Sequence, residues 1–116
     1  MTELLAIVRR NRAAATKAEL ARCGCAGYTQ WPVLGRGQQR GERAPAGGEG
    51  VAFLPKVLFD IVVEDERAQE VIEAILRANQ TGEFGDGRIF VVELGESHRI
   101  STGARDAAAP PVEAVP

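Results

Sequence analysis

The chain has few of the residues that most protein chemistry draws on. Its 116 residues include one histidine, one tryptophan, one tyrosine and two cysteines. A single histidine with two cysteines falls short of the usual ligand set of a structural zinc site. Cys23 and Cys25 are separated by one residue and so miss the C-x-x-C redox spacing. They read as reduced thiols near a helix end that pack as small hydrophobes. No nucleophile–base pair and no carboxylate dyad stands at a defined spacing, which argues against an enzyme. An excess of either charge is also missing: 14 Lys and Arg against 16 Asp and Glu leave a net charge of −2. No global field therefore draws the chain to nucleic acid or to an anionic membrane. No apolar run approaches the roughly 20 residues needed to cross a bilayer, and the stretch Leu4–Val8 is too short for a secretory signal core. The expectation is a cytoplasmic protein with no nucleic-acid partner and no membrane insertion.

What is present fits one small domain with one core, since 45% of the residues are hydrophobic and 26% charged. Leu4–Val8 reads as a short buried strand. Residues 11–23 are Ala-rich, with Thr16, Leu20 and Cys23 at helical spacing and Gly24 as a stop. Tyr28–Leu34 has strand composition, and Pro32, lacking an N–H, places it at a sheet edge. Residues 57–63 form the most β-prone segment of the chain. Glu64, Asp65 and Glu66 then put negative charge at a helix entrance, and Ala68, Val71, Ile72, Ile75, Leu76 and Ala78 supply its apolar stripe. Residues 88–94 are a further strand. Between the second and third strands, Gly35–Gly50 holds six glycines and no apolar side chain larger than alanine apart from Pro45. It cannot bury enough surface to offset its ordering entropy, so it is expected to be mobile. Residues 104–116, rich in Ala and Pro, read as a disordered tail.

The order β-α-β, long loop, β-α-β is that of a ferredoxin-like α+β sandwich, with an antiparallel sheet and both helices on one face. Such a fold leaves its other sheet face bare, and strands this apolar point to self-association to cover it.

Four stretches could carry chemistry. In Thr81–Arg88, Gly82, Gly85 and Gly87 free the backbone for close approach, successive amides can form an anion nest, and Arg88 offers a planar fork for phosphate. The same loop also reads as a plain helix-to-strand connector, and it is no Walker motif because no Gly-Lys-Ser/Thr follows. Gly35-Arg36-Gly37-Gln38-Gln39-Arg40-Gly41 could contact a ligand or hydrated metal through backbone and amide groups, or serve as a hairpin base. In Phe53-Leu54-Pro55-Lys56 the proline stiffens the approach to a lysine that is otherwise a surface residue. Arg99, in His98–Gly103, could reach a phosphate or stand at the surface before the tail.

In this order and spacing, the four stretches resemble the PII family of nitrogen-regulatory signalling proteins, over about residues 3–103. Thr81-Gly82-x-x-Gly85-Asp86-Gly87-Arg88-Ile89-Phe90-Val91 matches the family's most diagnostic signature; Gly35-x-Gly37-x-Gln39-x-Gly41, Phe53-Leu54-Pro55-Lys56 and Arg99-Ile100-x-Thr102-Gly103 support it. The resemblance implies a homotrimer with ATP or ADP in clefts between subunits. Gly85, Asp86, Gly87 and Arg88 would hold phosphates, Arg99 would approach from the neighbouring subunit, and Thr29, Gly35, Gly37, Gln39 and Val62 would line the nucleotide site. Gln39 would help place Mg²⁺ with ATP and 2-oxoglutarate, and Lys56 would pair with a carboxylate of 2-oxoglutarate. Residues 37 to about 53 would be the T-loop that docks on a target such as nitrogenase, an ammonium transporter or an enzyme of nitrogen metabolism.

The chain also departs from the family pattern. Its T-loop has no tyrosine, and the position usually modified falls near Glu49, so uridylylation and adenylylation are not expected. No serine or threonine lies between Gln30 and Leu54, so no phosphorylation is expected there. Ser101 stands where many members carry a second arginine, which removes a phosphate contact and leaves open a diverged sensor of another small metabolite or of adenylate state alone. The untyrosined loop with its Gly-Arg-Gly-Gln-Gln-Arg-Gly stretch looks more like the nitrogenase-associated PII subgroup than the general ammonium-transporter regulators.

Overall fold

The computed structural model describes residues 1–36 and 53–106. The T-loop expectation, with Gly37 and Gln39, therefore lies outside the described residues apart from Phe53. The main sheet has four antiparallel strands, β1 (Thr2–Arg9), β2 (Thr29–Gly35), β3 (Leu54–Val63) and β4 (Gly87–Glu93), in the order β2-β3-β1-β4. Helix α1 (Ala13–Arg22) joins β1 to β2, and α2 (Ala68–Asn79) joins β3 to β4. This is the expected ferredoxin-like architecture. β1 takes the centre because its alternate residues Thr2, Leu4, Ala6 and Val8 all face the helices and are buried. β2 takes an edge, where Pro32 leaves no gap in an interior ladder.

The core forms where Leu4, Phe59 and Ile61 of the sheet meet Leu20 of α1 and Val71 and Ile75 of α2. Only Thr16 and Leu20 of α1 are buried, so its contact is narrow, as its thin apolar stripe anticipates. The two helices are also tied by a polar link: Asn79 Nδ2 donates to Thr16 Oγ1 (2.9 Å), and Thr16 Oγ1 donates to Arg12 O (2.8 Å).

The helix ends are closed reciprocally. Each helix is entered through a 3₁₀ turn, Arg10–Arg12 before α1 and Asp65–Arg67 before α2. Arg12, last in the first turn, donates through Nε to Ala78 O in the final turn of α2 (2.8 Å). Arg67, last in the second, donates to Cys23 O at the end of α1. Both arginines serve carbonyls that have no partner within their own helix.

On the sheet face away from the helices, cross-strand register sets Trp31, Leu58, Ile7 and Arg88 side by side, then Thr29, Asp60, Leu5 and Phe90, then Val62, Glu3 and Val92. Trp31, Phe90 and Val92 are exposed there. Glu3 has its pKa raised, first by hydrogen bonding with Asp60 and then by burial and the charge of that same carboxylate.

Two boundaries differ from the sequence expectation. β3 starts at Leu54, so Lys56 is a strand residue opposite Arg9 and Val33. Ladder register, and not the stiffness of Pro55, sets its place. Beyond residue 103, where the tail is expected to begin, Arg105–Asp106 (β6) pairs with Ser97–His98 (β5). The turn between them closes through Gly103 N donating to Arg99 O (2.7 Å) and Arg99 N donating to Ala104 O (2.8 Å). Two-residue strands are too short to show a periodicity.

Candidate functional site

The loop between α2 and β4 is built around one carboxylate. Asp86 accepts hydrogen bonds from Thr81 N (2.7 Å), Thr81 Oγ1 (2.6 Å) and Gly82 N (2.9 Å). These donors, those of Thr81 foremost, hold its pKa down to about 2, with the Arg9 guanidinium assisting at 3.2 Å. The backbone then has to turn sharply, and Gly82, Gly85 and Gly87 take φ of 90°, 95° and 116°. Gly87 has a second reason to lack a side chain. A Cβ there would lie 2.0 Å from Ile7 O, so the loop enters the sheet against the backbone of β1.

Two cations hold the outer part of this loop. Lys56 Nζ donates to Gly85 O (3.0 Å), and Arg9 Nη2 donates to Phe84 O (2.8 Å). Gly35 leans on the same lysine, since a Cβ at Gly35 would sit 3.2 Å from Lys56 Cγ. Five residues singled out in sequence, Gly35, Lys56, Gly85, Asp86 and Gly87, thus converge at one end of the sheet, and Arg88 follows directly on β4. Arg9 joins them. Its contacts lie 75 residues away in sequence, and an arginine closing a strand carries no local signal of such a role.

Of the remaining described candidates, Thr29 lies midway along the sheet and Val62 and Arg99 toward its other end. Thr29 pairs with Asp60, which stands opposite Leu5 at the middle of β1, and Val62 pairs with Glu3 near its start. Arg99 follows β5, whose Ser97 Oγ donates to Met1 Sδ (3.9 Å). The length of β1 separates this end from Arg9, roughly 25 Å at about 3.3 Å per residue. Within one copy, Arg99 and the glycine loop do not meet. Among the described residues no group of three or more His, Cys, Asp or Glu side chains could hold a metal ion, and the Mg²⁺ expectation rests on Gln39, outside them. Cys25 is buried and its thiol pKa is pushed up by that burial, as suits an inert packing residue. No helix among the described residues is long and apolar enough to cross a membrane.

A ferredoxin-like sheet with a glycine loop knotted on Asp86 and clamped by two cations defines a small α+β domain with a tightly tied turn at its sheet end. The model of the family "Nitrogen regulatory protein P-II" matches residues 1–104. The chain is 39% identical to "Nitrogen fixation nifHD1 region GlnB-like protein 2" of Methanosarcina barkeri, over 90% of this chain and 95% of that protein. It is 40% identical to "Nitrogen regulatory protein P-II 2" of Methanothermobacter thermautotrophicus, over 89% and 91%. It is 38% identical to "Nitrogen fixation nifHD region glnB-like protein 1" of Methanococcus maripaludis, over 88% and 95%. The chain belongs to the P-II family of nitrogen regulatory proteins, which regulate rather than catalyse.

Proposed function

We propose that this protein is an effector sensor that binds ATP or ADP, with 2-oxoglutarate and Mg²⁺, in clefts between the subunits of a homotrimer, and controls a protein of nitrogen metabolism through residues 37–53. The observation that carries this reading is the division of the candidate residues between two ends of the sheet. Gly35, Lys56, Gly85–Arg88 and Arg9 stand at one end, Val62 and Arg99 toward the other, and Thr29 between them. One copy does not bring Arg99 to its own glycine loop around one nucleotide. Two copies set side by side can, with Arg99 of one facing the glycine loop of the next. The bare sheet face, rich in apolar side chains, is the surface such an assembly would cover.

In this reading the backbone at Gly85 and Gly87, with the Arg88 guanidinium, takes the phosphates, and Gly37 completes the nucleotide wall. Gln39 helps hold Mg²⁺, which brings ATP and 2-oxoglutarate together. Lys56 offers its ammonium to a carboxylate of the acid, a charge-assisted bond. To do so it leaves Gly85 O, so the acid and the phosphate loop share one cation. The ligands bias the loop at 37–53 toward one conformation, and the target reads that population. Several relatives carry names tied to the nifHD region, which supports a nitrogenase-associated target over an ammonium transporter. Ser101 favours a second reading, a sensor of adenylate state or another metabolite with the acid response lost.

Isothermal titration separates the two. ATP and ADP bind in both; 2-oxoglutarate with Mg²⁺-ATP binds only in the first. Arg88→Ala is expected to weaken ATP by about tenfold, the loss of roughly one charged hydrogen bond. Lys56→Met is expected to abolish the 2-oxoglutarate response while ATP still binds. Absence of any ATP or ADP binding at millimolar concentration overturns both readings.

A further inference from the structure

The sheet face away from the helices carries two carboxyl groups side by side. Glu3 of β1 stands opposite Val62, and Asp60 of β3 opposite Leu5, so the two occupy a cross-strand diagonal on that face. Asp60 Oδ1 is buried, and no standing N–H or O–H among the described residues reaches it. The Glu3 carboxyl beside it can supply a donor, but only while it holds a proton.

Nothing else by register neutralises the pair. β4 sets Val92 opposite Glu3 and Phe90 opposite Leu5, β2 sets Thr29 opposite Asp60, and Leu58 and Val62 flank Asp60 along β3. The first cation along this face is Arg88, opposite Ile7, roughly 13 Å from Glu3 at about 3.3 Å per residue of β1. Two like charges with no cation between them hold one proton more readily than either group alone, and they titrate as a unit. Glu3 is accordingly raised above its ordinary value, first by its hydrogen bond with Asp60.

We propose that the proton shared by Glu3 and Asp60 is a condition for association of the subunits, which pack across this face while the pair is protonated and loosen when it is not. The inference rests on the assembly reading above, in which a second copy covers this face because Arg99 and the glycine loop do not meet within one. Packing takes the pair out of water among Leu5, Phe90 and Val92, where two bare carboxylates are costly. Association therefore strengthens the pair's hold on its proton. By linkage it takes up protons, is strongest on the acid side and weakens as the pH rises through the titration of the pair. Thr29 and Val62, opposite Asp60 and Glu3, belong to the proposed nucleotide wall, so ATP affinity is expected to follow the same proton.

The test is sedimentation velocity on the full-length protein at fixed ionic strength, from about pH 5 to about pH 8. Across that range the parent's assembly midpoint is expected to move to about tenfold higher protein concentration. Glu3→Gln keeps an amide donor for Asp60 without a titrating proton, and is expected to hold its acid-side midpoint throughout. Glu93→Gln removes a carboxylate from the same end of the sheet but opposite Thr2, on the helix side, and is expected to keep the parental shift. A parental midpoint that ignores pH, a shift that Glu3→Gln retains, or one that Glu93→Gln equally loses overturns the proposal and leaves the assembly reading standing. A parent that stays a single copy at every pH overturns that reading and the proposal with it.

Discussion

Gly87 carries two constraints at one backbone position. Its φ of 116° strains any side chain, and the place of a Cβ is already taken by Ile7 O at 2.0 Å. Neither relaxes independently, because Gly87 is paired to β1. Gly87→Ala is expected to cost on the order of 2 kcal/mol or more, measured by urea unfolding, with the loop displaced from β1. By contrast Gly82 has open space around it, so only its φ of 90° resists substitution. Asp86 acts through charge. Its folded pKa of about 2 lies below the ordinary 3.8, so its contribution is fully present above pH 3.8 and is lost as the pH falls toward 2. Asp86→Asn is expected to lower Tm at pH 7, and the gap to the parent to close near pH 2 in thermal scans. The turn glycines are legible in the sequence because each has a local reason, whereas the knot of Asp86 on Thr81 and Gly82 emerges only in the fold. Arg9 is not legible either, since only tertiary contact gives it a role.

The strands are legible from apolar and β-prone composition, and α2 from its period. Leu4, Ala6 and Val8 alternate, and Val71, Ile75 and Ala78 repeat at helical spacing, and all six are buried. Neither composition nor period marks where the elements end. Phe53-Leu54-Pro55-Lys56 reads as a loop rejoining the core, with Pro55 stiffening the approach to Lys56, yet β3 already runs from Leu54. The β5–β6 hairpin was missed for lack of length. Nor does periodicity reveal what closes a helix, because Arg12 and Arg67 act across 66 and 44 residues. Replacing either by methionine keeps most of the stem and removes the donors, leaving partly buried carbonyls unserved. Each change is expected to cost about 1–3 kcal/mol in chemical denaturation, with the first loosening the end of α2 and the second the end of α1.

At the scale of the whole molecule, the sheet face away from the helices presents apolar side chains interrupted by Glu3, Thr29, Asp60 and Arg88. A monomer with Phe90 and Trp31 in water has reason to associate. If the trimer forms across this face, Phe90→Glu is expected to leave the fold intact by circular dichroism, to shift elution to a single copy, and to cost ATP affinity, since the cleft is then no longer shared. A trimer that survives this change would place the interface elsewhere.

The exchange of arginines between the two strand–helix–strand halves bears on how the chain opens. Arg12 of the first half completes the helix of the second, and Arg67 of the second completes the helix of the first. Neither half holds all the donors its own helix end requires. Local opening of one helix frees the arginine that caps the other, so the two should lose protection together. Native-state hydrogen exchange is the measurement that sees this directly, with the last-turn amides of α1 and α2 sharing one opening free energy instead of fraying separately.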